Sequence, residues 1–161
     1  MGTGVVQIYY GEGHGKSTAA LGNAICAASN GECVTLIQFL KAKKESDKEY
    51  LTRLEPEVKL FRFAKFDACF DELTDEQKQE EIFNLKNGFN YSKKVISTGA
   101  CDMVVLDEFL GLVDLGIITI DEIKEMLSLK PEDMTVVFTG RVLDARIRPF
   151  ADEIHNIAPE K

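Results

Sequence analysis

Residues Gly11-Glu12-Gly13-His14-Gly15-Lys16-Ser17 constrain the fold of this 161-residue chain more than any other feature, because of what stands on either side of them. Before them, Val5-Val6-Gln7-Ile8-Tyr9-Tyr10 is β-branched and aromatic with no helical period, so it reads as a buried strand ending at the glycines. After them, Ala20, Leu21, Ala24, Ile25 and Ala28 recur at three- and four-residue spacing in a predicted helix from Lys16 to Ser29, and Asn30-Gly31 supplies its stop. Small residues on that face let the helix lie close to a sheet. A strand, a glycine-rich turn and a helix start make backbone N–H groups and the helix dipole converge on an anion. Glycine permits both the turn and the close approach of a phosphate.

The remaining pattern extends the same architecture. Cys33 to Phe39 reads as a second strand and Val58 to Phe63 as another, with alternating Lys59 and Arg62. Between them, Lys41 to Glu57 carries ten charged residues in seventeen and is expected as a solvated helix or loop. Thr74 followed by Gln77 marks a capping box for a long helix ending near Ser97, its charged half facing water. Met103 to Leu106 and Thr135 to Phe138 are two further apolar strands, closing on Asp107-Glu108 and Thr139-Gly140-Arg141, with a short helix from Thr119 to Leu129 between them. Strands that are apolar throughout and separated by helices imply an α/β fold: a mostly parallel sheet with helices on both faces, of the phosphate-loop NTPase (RecA-like) type, in one domain over residues 1–161. Ligands of such sheets sit at the carboxyl ends of the strands, where the polar groups named here fall.

Composition narrows the partners. A 45% hydrophobic content suffices for a core, and a formal charge of -8 without a basic patch argues against nucleic acid or an anionic membrane surface. Cys26, Cys33, Cys69 and Cys101 form no CxxC pair and have no histidine at zinc-site spacing, so they read as thiols of a reducing compartment. No apolar run reaches the ~20 residues of a membrane span, and no signal peptide precedes Gly11, so a cytoplasmic protein is expected.

The loop from Gly11 through Glu12, Gly13, His14, Gly15, Lys16, Ser17 and Thr18 is therefore the candidate nucleotide-binding segment. Lys16 would neutralise phosphate oxygens and Ser17 would ligate Mg²⁺. Asp107 and Glu108, at the end of an apolar strand, are the natural second metal partners, and Arg141 could clamp a distal phosphate. The loop is also one residue short: Gly11 stands four positions before Gly15, where the common pattern GxxxxGK followed by Ser or Thr wants five. A tighter loop need not hold a triphosphate in the pose used for transfer of its terminal phosphoryl group. His155 has no evident partner, and no nucleophile is paired with a base.

With these residues in place, the sequence resembles the ATP:corrinoid adenosyltransferases of the phosphate-loop type. The likeness runs through GEGHGKSTAALG (Gly11 to Gly22), VTLIQFLK (Val34 to Lys41), MVVLDE (Met103 to Glu108) and VVFTGR (Val136 to Arg141), with Ala151-Asp152 following. The resemblance implies attack by a Co(I) corrinoid on C5′ of ATP with the triphosphate leaving, and a homodimer. It implies Gly13, Gly15, Lys16, Ser17 and Thr18 as phosphate-binding residues and Ser17 with Glu108 or Asp107 on Mg²⁺, with no catalytic base or nucleophile from the protein.

The chain departs from that family's pattern at several positions. Cys26 stands where an arginine is usual, Ser29 and Glu32 replace a glycine and a lysine, and His14 replaces the loop lysine. The family's QFxKG becomes Gln38-Phe39-Leu40-Lys41-Ala42, Asn156 replaces a glutamate, and the Lys-His-Pro tail has no counterpart. The chain has no tryptophan for the corrinoid-facing Phe-x-Trp, leaving Phe66 and Phe70 as candidates for that face. The competing expectation is a nucleotide-binding regulatory module of the same fold that has lost adenosyl transfer.

Overall fold

A computed structural model describes residues 3–40 and 51–161. Six strands form one sheet in the order β3-β2-β4-β5-β1-β6. They span β1 (Val6–Tyr10), β2 (Val34–Gln38), β3 (Val58–Arg62), β4 (Met103–Asp107), β5 (Thr135–Gly140) and β6 (Glu153–Asn156). Every neighbouring pair runs parallel. The helices are α1 (Lys16–Ser29), α2 (Asp75–Thr98), α3 (Leu110–Asp114) and α4 (Ile120–Ser128). Residues 41–50 of the charged stretch lie outside the described residues; in its remainder Leu51 is buried.

The alternation of side chains along each strand divides the core into two layers. Val6, Ile8, Ile37, Val104, Leu106, Val136 and Phe138 pack with Leu85, Phe89 and Ile96 of α2, Leu112 of α3 and Ile123 and Met126 of α4. Val34, Leu36, Met103, Val105 and Val137 face the opposite way, onto Ala20, Ala24 and Ala27 of α1. β2 and β4 are therefore buried at all five positions, which is why apolar residues dominate them and the polar ones, Thr35 apart, stand at their carboxyl ends. The buried apolar positions of α1 are all alanine, with Leu21 packing at their margin. Ile25, expected on that face, is 44% exposed instead, because packing against so close a sheet selects the three alanines and turns the bulkier side chain outward.

Both ends of α1 follow from sequence. Gly15 is its N-cap with φ 114° and no side-chain cap, and Asn30 closes the carboxyl end, its N–H directed at Cys26 O and Ala27 O. The capping box of α2 forms as expected, with Thr74 Oγ1 accepting from Gln77 N and Gln77 Oε1 accepting from Thr74 N. One residue of the supposedly solvated half of α2 is buried: Glu81 accepts from the N–H groups of Lys65 at 2.8 Å and Phe66 at 3.0 Å, tying down the loop after β3. β6 was not expected. Its ladder with β1 runs from Gln7–Glu153 to Tyr10–Asn156, and His155 stacks on Tyr9 with centroids 4.9 Å apart.

Two helical glycines separate backbone propensity from packing. A Cβ on Gly22 of α1 meets nothing within 4 Å, whereas one on Gly88 of α2 falls 2.8 Å from Phe63 Cγ and 3.0 Å from Phe39 Cε1. Gly22→Ala should stabilise the protein by about 0.5–1 kcal/mol. Gly88→Ala gains the same propensity but overpacks the aromatic layer at a cost of about 1–3 kcal/mol, so it should be net destabilising. Urea unfolding midpoints of the two variants should move in opposite directions; a stabilised Gly88→Ala would contradict the packing of α2 on Phe63.

Candidate functional site

Parallel register carries five strand ends to one edge. Gln38 is level with Asp107, Tyr10 with Gly140 and Gln38 with Arg62. The loop after β1 folds over this edge, joined to it through Gly11 N, which donates to Gly140 O at 3.1 Å. Near the carboxyl ends of β3, β2, β4 and β5, the side chains of Arg62, Gln38, Asp107 and Thr139 are polar and linked to one another.

At the centre is Asp107, only 2% exposed. Its Oδ1 accepts from Ser17 Oγ and from Thr139 Oγ1, both at 2.7 Å. Its Oδ2 lies 3.4 Å from Gln38 Nε2. Gln38 Oε1 in turn accepts from Arg62 Nε at 2.7 Å. A buried carboxylate without such donors would cost several kcal/mol; here hydroxyls from the loop and from β5 converge on it.

Glu108 follows in a left-handed conformation, φ 58°, rare for a residue with a Cβ and worth about 1 kcal/mol of strain. Its N–H donates to Thr139 Oγ1 at 2.8 Å, which holds the turn, and its carboxylate Oε1 comes within 3.6 Å of Lys16 Nζ. Lys16 is itself buried, with Nζ also donating to Gly13 O at 3.3 Å.

Glu12 to Thr18, with Glu108 and Arg141, line a polar cavity of about 560 Å³. All the residues expected to bind nucleotide are there except Gly11, which is buried beneath it. Asp107 does not line the cavity and reaches it through Ser17. The donor set fits Mg²⁺: Ser17 Oγ gives its proton to Asp107 and keeps its lone pairs, and Glu108 adds a carboxylate, so hard oxygen ligands gather beside the phosphate loop.

A second cavity of about 350 Å³ adjoins the first, sharing Glu108 and Arg141. Its wall is largely apolar, from Leu40, Phe70, Leu110, Leu115 and Val142. Phe70 thus forms part of the wall of this second cavity. Phe66 lines a separate small depression beside it, with Leu40, Ala64 and Phe70. Cys26 is exposed on α1, ten residues from Lys16 and so about 15 Å along the helix axis. The departure at that position does not touch the phosphate-loop cavity of this chain. Beyond Arg141, Arg146 donates to both carboxylate oxygens of Asp144 and holds that carboxyl down to about 2.

Gln38 and Thr139 are the participants that a motif reading passes over. Their signal is positional: each is the polar residue near the carboxyl end of an otherwise apolar strand, level with the acid of β4.

An all-parallel sheet, a phosphate loop leaving β1 and a buried acid at the end of β4 define a fold of the phosphate-loop NTPase type. The family model for ATP:corrinoid adenosyltransferase BtuR/CobO/CobP matches residues 2–161. The chain belongs to this family, whose members are transferases acting on corrinoids. Among relatives, it is 27% identical over 158 residues to the corrinoid adenosyltransferase of Escherichia coli K12, covering 98% of this chain and 78% of that protein. It is equally similar, at 27% with the same coverage, to corrinoid adenosyltransferase CobA of Salmonella typhimurium. The corrinoid adenosyltransferase of Pseudomonas aeruginosa is 25% identical over 151 residues, 94% of this chain and 73% of the relative. Among the described residues no helix is long and apolar enough to cross a membrane.

The hydroxyl of Thr139 both donates to Asp107 and accepts from Glu108 N, so Thr139→Val preserves shape but takes one of two hydroxyl donors from the buried Asp107 and the acceptor from the part-buried Glu108 N–H. It should cost about 2 kcal/mol of stability in urea unfolding. A change below the measurement error would show that the hydroxyl does not hold the two acids.

Proposed function

We propose that this protein transfers the 5′-deoxyadenosyl group of ATP to the Co(I) centre of a corrinoid, releasing triphosphate with Mg²⁺ as cofactor. The observation that carries this reading is the meeting of two unlike cavities, a polar one on the phosphate loop and an apolar one beyond it, across Glu108 and Arg141. With a triphosphate in the first, the sugar end would turn toward the second, whose apolar wall suits the face of a macrocycle.

In this reaction the cobalt lone pair forms the Co–C5′ bond, the C5′–O bond breaks, and its electron pair leaves on the triphosphate oxygen. The nucleophile belongs to the corrinoid, so the protein need supply no base. What its residues supply is position and charge. The N–H groups at the start of α1 and the Lys16 ammonium hold the phosphates, and Arg141 reaches the same cavity from the end of β5. Ser17 and Glu108 would hold Mg²⁺, which neutralises part of the leaving charge. Leu40, Phe70, Leu110 and Val142 keep water from the reacting face.

Anaerobic incubation with ATP, Mg²⁺ and cob(I)alamin should produce the absorbance change of a cobalt–carbon bond together with stoichiometric triphosphate. ADP or inorganic phosphate as product would overturn the reading, and ATP binding without any transfer would mark a nucleotide-binding module instead. Lys16→Ala should lower kcat/KM by about 10²–10³, with most of the loss in ATP affinity; a variant that binds ATP like the wild type would remove the loop from the site.

A further inference from the structure

The phosphate loop is built from residues that cannot fix their own conformation. Gly11, Gly13 and Gly15 have φ of 142°, 89° and 114°, and glycine has more backbone freedom to lose than any other residue. On the cavity side the loop has Lys16 Nζ on Gly13 O. On its other side lies the segment that follows β6.

That segment is closely fitted. Ile157 N–H donates to Tyr10 O at 2.7 Å, extending the β1–β6 ladder to the start of the loop. A Cβ on Gly11 would fall 2.1 Å from Ile157 O, one on Gly13 3.1 Å from Pro159 Cδ, and one on Gly15 3.3 Å from Ile157 Cγ2. Residues 156–159 thus touch all three glycines that bend the loop, and none of them lines the phosphate cavity. β6 anchors the segment: Val6 N donates to Asp152 Oδ2 at 2.8 Å, Asp152 N donates to Val6 O at 2.9 Å, and His155 stacks on Tyr9.

We infer that Ile157 and Pro159 are positioning residues, which brace the shortened phosphate loop from outside in the conformation that accepts a triphosphate. The brace acts through Gly11, Gly13 and Gly15 and touches no substrate. It removes from ATP binding the entropy of ordering a loop of glycines. Without it the nucleotide must order the loop itself, so affinity falls while the reaction of bound ATP is unchanged. The glycines are accordingly required from two directions, by the approach of phosphate and by the chain packed behind them.

This inference rests on the ATP-dependent transfer proposed above, and its test separates the two. Pro159→Gly changes an exposed residue that belongs to neither core layer, and Ile157→Ala removes the contact with Gly15. The combined variant should raise the Kd for ATP–Mg²⁺, measured by calorimetry, and the KM for ATP by about tenfold. Its kcat at saturating ATP and cob(I)alamin should stay within about twofold of wild type. Ile157→Val, which keeps the branched contact, should restore most of the affinity, and Pro159→Gly alone should show part of the loss.

A residue with only a structural role would lower the thermal midpoint without moving Kd. Unchanged ATP affinity in both Pro159→Gly and the combined variant therefore overturns the brace, whatever happens to stability, and leaves the proposed transfer standing. A fall in kcat with KM unmoved also overturns it. Wild-type protein that binds no ATP removes the transfer reading and the brace with it.

Discussion

The site depends on one buried carboxylate. Asp107 sits at the end of a strand covered on both faces, where an ion can persist only if donors surround it. Two of those donors come from parts of the chain far apart in sequence, Ser17 on the loop and Thr139 on β5. The same bonds that make the charge tolerable therefore fasten the first turn of α1 to the sheet. Gln38 and Arg62 extend the fastening across β2 and β3, so four adjacent strand ends share one polar chain. Parallel register is what allows this, since it brings the strand ends level.

How much of this could be read from residues alone depended on whether the pattern was local. The phosphate loop, α1 and the capped start of α2 are local: a glycine run between a β-branched stretch and an alanine period, or a Thr–Gln pair three apart, carries its own physical reason. The central strands were legible because burial on both faces keeps their interiors almost wholly apolar, Thr35 of β2 being the exception. β6 was not, since Glu-Ile-His-Asn has no apolar signature and owes its extended form to pairing with β1. The outward turn of Ile25 and the burial of Glu81 were also hidden. Each is decided by what lies across the interface, the closeness of the sheet in one case and two backbone N–H groups after β3 that donate to Glu81 in the other.

The candidate site shows the same division. Lys16, Ser17, Asp107 and Glu108 announce themselves by motif, and they do converge. Phe70 and Phe66 were separated only by the path of the loop, which places the first on the apolar cavity and the second beside it. Thr139 carries as much of the geometry as the acids, yet a threonine ending a strand is an ordinary sight. Only its level with Asp107 makes it part of the site.

Glu108 links the two halves of the chemistry. Its left-handed backbone swings the carboxylate from the direction of β4 toward Lys16, and Thr139 holds that turn by the same oxygen that bonds Asp107. Among the described residues, the buried ammonium of Lys16 is paired with Glu108, at 3.6 Å. An arriving triphosphate is the stronger partner for Lys16, since it offers several anionic oxygens at the start of a helix. On the proposed function, binding would exchange one ion pair for another and free the Glu108 carboxylate as a hard oxygen ligand for a divalent cation. Because Glu108 also lines the apolar cavity, that exchange would fall on the wall the two cavities share, and the left-handed turn at this residue is what puts its carboxylate there.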